Sequence, residues 1–177
     1  MSDFYASLND VFLHEGGFVN HAADNGGATA YGISLRFLKS LPSLAGDVDG
    51  DGHVDIRDIR SLTKDFAESF YKRFFWDHYR IGEIDDQRVA QRLFNFFVNM
   101  RGKTAALIAQ RAANDLGAGL VEDGIMGPAT RAILNRLEPI QLVCCIRWRA
   151  WEVYKAIVEY DSTQAVFLGG WQYRAFA

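Results

Sequence analysis

Glu15 closes an apolar-periodic segment ahead of Gly16, Gly17 and Phe18; Asp24 comes nine residues later, and Thr29 five after that. Two carboxyls and a hydroxyl in this order offer an acid, a charged partner and a group that can hold water. Cleavage of a glycosidic bond uses such a set: one protonated carboxyl donates to the departing oxygen, while a second charged group activates water or stabilises the cation-like sugar. A helix C-terminus and aromatics such as Phe18 and Tyr31 both disfavour an ionised carboxyl, so Glu15 suits the acid. Asp24, within Asp24-Asn25-Gly26-Gly27, is expected to stay ionised near neutral pH, with Thr29 holding the attacking water. The same residues also suit a plain helix end and a tight turn.

A second cluster lies in the twelve residues from Asp47 to Asp58. Acids stand at loop positions one, three, five, nine and twelve: Asp47, Asp49, Asp51, Asp55 and Asp58. Gly52 at position six permits a sharp turn, His53 at seven would offer its backbone carbonyl, and Val54 at eight anchors the loop to the core. Five aspartates this close repel one another unless a cation neutralises them, and hard oxygen donors suit calcium. The segment resembles an EF-hand loop, closest to the calcium loop of dockerin modules because position twelve is an aspartate. With no second, paired loop, a structural ion is expected rather than a calcium sensor, with the task of fixing the start of the helix from Ile56 onward.

The remaining chemistry-bearing residues form no further constellation. His14 is next to Glu15 in sequence, but adjacent helix positions do not face each other. His21 and His78 lack metal-ligand spacing to any partner, and no Ser-His-Asp set or phosphate-cradling glycine loop is present. Cys144 and Cys145 are neighbours in an apolar helical pattern and are expected as buried thiols rather than a disulfide.

These residues must be positioned by helices. Phe4, Leu8, Val11 and Phe12 recur at helical steps up to Gly16-Gly17. From Phe18 to Ile33 the chain favours turns and a small hairpin, with a short helix from Ser34 to Ser40. Ile59, Leu62, Phe66, Phe70 and Phe74 predict one long buried helix; Val89, Leu93, Phe96 or Phe97, and Met100 predict the next. Ala105, Ile108, Ala112 and Leu116 predict a helix that stops at Gly117, and Pro128 opens another through Ile133, Leu134 and Leu137. A last long helix is expected over Pro139–Tyr160, with Val143, Ile146, Ala150, Tyr154 and Ile157 inward, followed by an exposed tail carrying Trp171. Phe74, Phe75, Trp76 and Tyr79 read as core rather than as a platform for sugars. The fold class is mainly α, with at most a small β-hairpin.

Composition agrees with a folded domain: of 177 residues, 49% are hydrophobic and 23% charged, which excludes a disordered chain. No apolar run reaches the roughly 20 residues of a membrane-spanning helix. The net charge is −3, and the five aspartates and Arg57 within 47–58 account for −4 of it. The rest of the chain has no concentrated basic face, so nucleic acid is not an expected partner.

The order Glu15, Asp24, Thr29 is similar to the phage-type lysozyme triad, with the last gap one residue shorter. More closely, His14-Glu15-Gly16-Gly17-Phe18 with Asp24-Asn25-Gly26-Gly27-Ala28-Thr29-Ala30-Tyr31-Gly32-Ile33 resembles the opening of the N-acetylmuramidases of glycoside hydrolase family 108. Asn95-Phe96-Phe97-Val98-Asn99 and Asp123-Gly124-Ile125-Met126-Gly127-Pro128-Ala129-Thr130 resemble signatures of that family's later half, a predicted peptidoglycan-binding region. The resemblance implies a lysozyme-like helical fold and cleavage of the β-1,4 bond between N-acetylmuramic acid and N-acetylglucosamine, with Glu15 as the essential acid. It also implies Tyr31 and Asn95 as candidate sugar contacts, although each equally suits a structural role. Asp123-Gly124 and Gly127-Pro128 read first as a turn and a helix start, and second as a wall-binding site.

The expected organisation is a catalytic lobe over 1–93, with the calcium-loop insertion at 46–59, and a helical peptidoglycan-binding lobe over 94–177. Peptidoglycan is the expected partner, of a chain that is not membrane-embedded and acts as a monomer. The start Met1–Asp10 does not read as a secretory signal, which fits a phage or prophage endolysin reaching the wall through a holin-type hole. The competing readings are a non-catalytic wall-binding or secretion-associated protein, a lytic transglycosylase, and a calcium-dependent docking module.

Overall fold

A computed structural model describes residues 1–14, 29–42 and 44–176. Helices carry most of these residues, and a single two-stranded antiparallel hairpin is found among them. The mainly α class is therefore as expected. The chain divides into two compact units, Phe4–Phe74 and a second composed of Met1–Asp3 with Phe75–Ala177.

In the first unit, α1 (Phe4–His14) buries Phe4, Leu8 and Val11, the stripe that its three- and four-residue spacing predicts. Strands β1 (Thr29–Ala30) and β2 (Ile33–Ser34) form the hairpin, with Thr29 opposite Ser34 and Ala30 opposite Ile33. Ser34 then caps α2 (Leu35–Ser40), its hydroxyl accepting from the Phe37 N–H at 3.2 Å. Past the acidic loop, Asp55 caps α3 (Ile56–Ser61) in a reciprocal capping box with Asp58.

The single long helix expected through Ile59, Leu62, Phe66, Phe70 and Phe74 is instead broken. Leu62 leaves helical geometry, and Thr63 caps a separate α4 (Lys64–Tyr71) by accepting from the Phe66 N–H at 3.2 Å. The apolar spacing stays in register across the break, so periodicity could not reveal it; Thr63 with Asp65 in the next turn was the readable signal. After α4 the chain continues as a π-helical segment, Lys72–Asp77. Phe70 centres the ring cluster of this unit, edge-on to Phe37 at 5.4 Å and close to Phe74 at 4.9 Å.

In the second unit, a 3-10 turn at Ile81–Glu83 precedes α5 (Gln87–Asn99), α6 (Gly102–Asp115), α7 (Pro128–Leu134) and α8 (Pro139–Tyr160). Asp86 caps α5, and Pro128 and Pro139 occupy the first turns of their helices as their missing N–H allows. α5 is buried nearly all round through Leu93, Phe94, Phe96 and Phe97. Ala105, Ala109 and Ala112 are fully buried on α6, and these small side chains let α8 pack closely against it.

Where an exposed tail was expected, a 3-10 segment (Ser162–Phe167) leads into α9 (Leu168–Phe176), which packs on α8. Trp171 stacks on Tyr154 with ring centroids 5.1 Å apart. The cysteines also depart from expectation: Cys144 is exposed and Cys145 half-buried, both free. Leu142 and Ile146 take the inward positions on α8, and Cys144, midway between them, falls on the outer face. Ile157 is likewise exposed rather than inward, whereas Trp76 is core as expected. Among the described residues no helix is long and apolar enough to cross a membrane.

Candidate active site

Of the three candidate catalytic residues, Thr29 is described, half-buried on β1. Glu15 and Asp24 lie outside the described residues.

Thr29 leads into a tight turn. The hairpin loop is only Tyr31-Gly32, and both residues have positive φ, 51° and 75°, the geometry of a two-residue turn whose twist matches the flanking strands. Gly32 adopts it freely. Tyr31 does not, because a side chain in the left-handed region costs roughly 1–2 kcal/mol. Two contacts offset that cost: the Tyr71 hydroxyl donates to the Tyr31 carbonyl at 2.9 Å, and the Phe12 ring meets the Tyr31 ring edge-on at 6.1 Å. Phe12 also meets Tyr71 edge-on at 6.0 Å. Each contact contributes about 1 kcal/mol, comparable with the strain. The half-buried Tyr31 ring thus sits on a braced turn two residues after Thr29.

Tyr71 was not singled out by sequence. A tyrosine on an apolar helical face is a readable oddity, but nothing in the spacing links it to a turn forty residues earlier.

Asn95 belongs to the second unit and is buried on α5, 4% exposed, its amide oxygen 3.4 Å from the Asn99 amide nitrogen. Asn99 also donates to the Asn95 main-chain carbonyl at 2.8 Å.

The Asp123–Thr130 signature takes the turn and helix-start form, organised by a buried residue that sequence reasoning passed over. The Gln110 side chain donates to Asp123 Oδ1 at 2.7 Å and to the Ile125 carbonyl at 3.1 Å, and accepts from the Gly124 N–H at 2.9 Å. Gln110 is 1% exposed. That hydrogen bond from Gln110, together with the Ile125 N–H, holds the Asp123 carboxyl below the usual carboxylate range. The signal was a glutamine at an inward position of an alanine-lined helix.

In the acidic loop, Asp47, Asp49 and Asp58 bring carboxylate oxygens within 4.8 Å of one another. Asp47 also accepts main-chain N–H groups from Gly50 and Gly52, at 2.8 and 2.9 Å, wrapping the loop around its carboxylate. Gly52 has φ 86°, so the sharp turn at position six forms as expected. Asp58 is buried and accepts from the Val48 and Asp55 N–H groups, each at 2.6 Å. Asp51 and Asp55 turn instead to Arg57, at 2.5 and 2.8 Å. The Arg57 guanidinium holds the Asp55 carboxyl down at about 2. The His53 N–H donates to Asp51 at 2.9 Å. Three of the six expected positions thus converge on a donor set suited to a hard divalent cation, while Arg57 competes for two others.

The family model for glycosyl hydrolase 108 matches residues 8–100, just over half of the chain and a span that includes Glu15, Asp24, Thr29 and the acidic loop. The chain belongs to the glycosyl hydrolase 108 family. A second family model, described as a predicted peptidoglycan domain, matches residues 104–176. The solved structure of Brucella abortus SagA matches with a TM-score of 0.74 and 23% identity, covering 97% of this chain and 88% of that one. At that identity the likeness shows a shared fold. Among curated proteins none matches the chain. This glycosyl hydrolase 108 member is therefore a glycosidase with a lysozyme-like, mainly α fold, and peptidoglycan is the partner its second half indicates.

Proposed function

We propose that the protein is an N-acetylmuramidase: it hydrolyses the β-1,4 bond between N-acetylmuramic acid and N-acetylglucosamine in peptidoglycan. Membership of the glycosyl hydrolase 108 family carries this reading, and the matched span contains the Glu15, Asp24, Thr29 order, residue types that can supply an acid, a charged partner and a water-holding hydroxyl. Glu15 keeps its proton until the glycan is seated, then delivers it to the bridging oxygen. Asp24 stays ionised and stabilises the positive charge that develops on the sugar ring. Thr29 orients the water through its hydroxyl. The braced hairpin supports that role, since a hydroxyl that positions water needs a backbone that does not drift by even an ångström. Tyr31 lines the sugar groove from the same turn, and Asn95 is a second candidate sugar contact, carried by α5 of the other unit.

In the same reading, the loop 47–58 holds one structural calcium through Asp47, Asp49 and Asp58, with the His53 carbonyl, Asp51 and Asp55 completing the shell once Arg57 is displaced. The spacing of acids and the converging carboxylates support it.

The test is mass spectrometry of fragments released from purified walls by the wild type and by Glu15→Gln. The expected wild-type products end in reducing N-acetylmuramic acid, and the variant releases at least a thousandfold less. Anhydro sugar ends would make the protein a transglycosylase; equal release by both proteins would remove Glu15 from the reaction.

A further inference from the structure

An apolar stripe on α8 faces solvent. Leu142, Ile146, Ala150 and Tyr154 take the buried side of the helix. On the other side Ile140 is 58% exposed, Cys144 is exposed and Trp148 is 53% exposed, and their four-residue spacing sets them along one face. Trp151, half-buried, extends the stripe, its ring 6.2 Å from the Phe176 ring of α9. The solvent side of a surface helix is ordinarily polar, so a run of apolar side chains there marks a surface that another protein covers.

The charges at the two ends of the stripe select the partner. Arg136 and Glu138 stand at its start, Lys155 and Glu159 near its end. Arg136 and Glu159 are exposed and make no ion pair among the described residues. The Lys155 ammonium lies over the Trp148 ring at 5.6 Å rather than on a carboxylate. Two copies of the helix laid antiparallel bring Arg136 of each to Glu159 of the other, and Glu138 of each to Lys155 of the other. Both pairings are centred beside Trp148, so a single two-fold axis there satisfies all four and lays one stripe on the other. A parallel arrangement sets like charges against each other instead.

We propose that α8 is a self-association surface: two copies of this chain pair antiparallel along the Ile140, Cys144 and Trp148 stripe, in place of the monomer expected from sequence. The indoles supply the anchor at the centre, and the ion pairs at the ends fix register and direction. One helix from each copy buries less than the roughly 1,600 Å² of a standard interface, so the dimer is reversible, with a Kd on the order of 10 μM. Pairing lets two chains engage one polymer at two points, which raises avidity without any new contact to it.

The test is sedimentation equilibrium of the full chain over a range from about 1 to about 300 μM. The mass is expected to rise from that of one 19.9 kDa chain to twice that value. Trp148→Glu moves the midpoint at least tenfold to higher concentration, with the melting temperature unchanged because the side chain faces solvent. Glu159→Arg weakens pairing at least threefold, and adding Arg136→Glu to it restores the wild-type midpoint. The proposal is overturned by a one-chain mass at every concentration, by a dimer indifferent to Trp148→Glu, or by a charge swap that does not restore pairing. Co-sedimentation of a monomeric wild type with phosphatidylglycerol vesicles, lost in Trp148→Glu, assigns the stripe to a lipid surface and overturns it as well.

Discussion

The Tyr71 hydroxyl donates a 2.9 Å hydrogen bond to the main-chain carbonyl of Tyr31, forty residues earlier in the chain. Tyr71 is 2% exposed, so its buried hydroxyl needs a partner, and this bond falls on the one hairpin residue other than glycine that holds a left-handed backbone. A helix of the core thereby fixes the turn that follows Thr29. Tyr71→Phe should lower stability by about 1 kcal/mol. Wall-clearing activity should fall several-fold, because Thr29 loses its brace. Urea melts and turbidity assays on one preparation check both; a full activity loss without a stability change would give Tyr71 a direct role instead.

Calcium should stabilise the first unit. An ion present at a hundredfold excess over its Kd contributes about 2.7 kcal/mol to the folded state, a rise of several degrees in melting temperature for a chain of this size. Asp47→Asn should remove that rise, since Asp47 both joins the carboxylate cluster and closes the loop. Identical melting curves in millimolar calcium and in chelator would exclude the ion.

Gln110 should be the most costly polar substitution in the second unit. Replacing it by leucine leaves the Gly124 N–H and the Ile125 carbonyl without their buried partner, at an expected loss of about 2–4 kcal/mol. A urea midpoint that does not move would show that the Asp123–Thr130 turn holds itself.

Burial raises the Tyr154 hydroxyl to about 12 from an ordinary 10.0. The folded state then resists ionisation that the unfolded chain permits. The stability that depends on the neutral form is complete below pH 10 and is lost as the pH rises toward 12, by about 3 kcal/mol. Tyr154→Phe should flatten that alkaline decline, and ultraviolet titration should lose a late-ionising tyrosine in that variant. A wild-type titration in which every tyrosine ionises near pH 10 would refute it.

Local rules made most helices legible. α1, α2, α5, α6, α7 and α8 follow from apolar spacing, a capping serine or a first-turn proline, all of which depend on residues within one or two turns. The break at Leu62-Thr63 was not legible from periodicity, because a cap can interrupt a helix without shifting its apolar register. α9 was not legible either: its apolar residues become informative only once α8 offers Tyr154 as a stacking partner. In the candidate site, the sequence named Thr29 and Tyr31 and the turn between the strands, but not Tyr71. In the acidic loop it named every carboxylate, but not the competition from Arg57.

What the linear chain determined by itself is the inventory: the Glu-Asp-Thr order, the spaced aspartates, and the helical pattern that assigns the class. These are decided by residue type and short-range spacing, which no distant contact alters. Tertiary structure alone decided which polar groups meet across long separations: Tyr71 with Tyr31, and Gln110 with the 123–125 turn. Such pairings arise because each buried polar group must find a partner wherever packing brings one within reach, and packing depends on the whole fold.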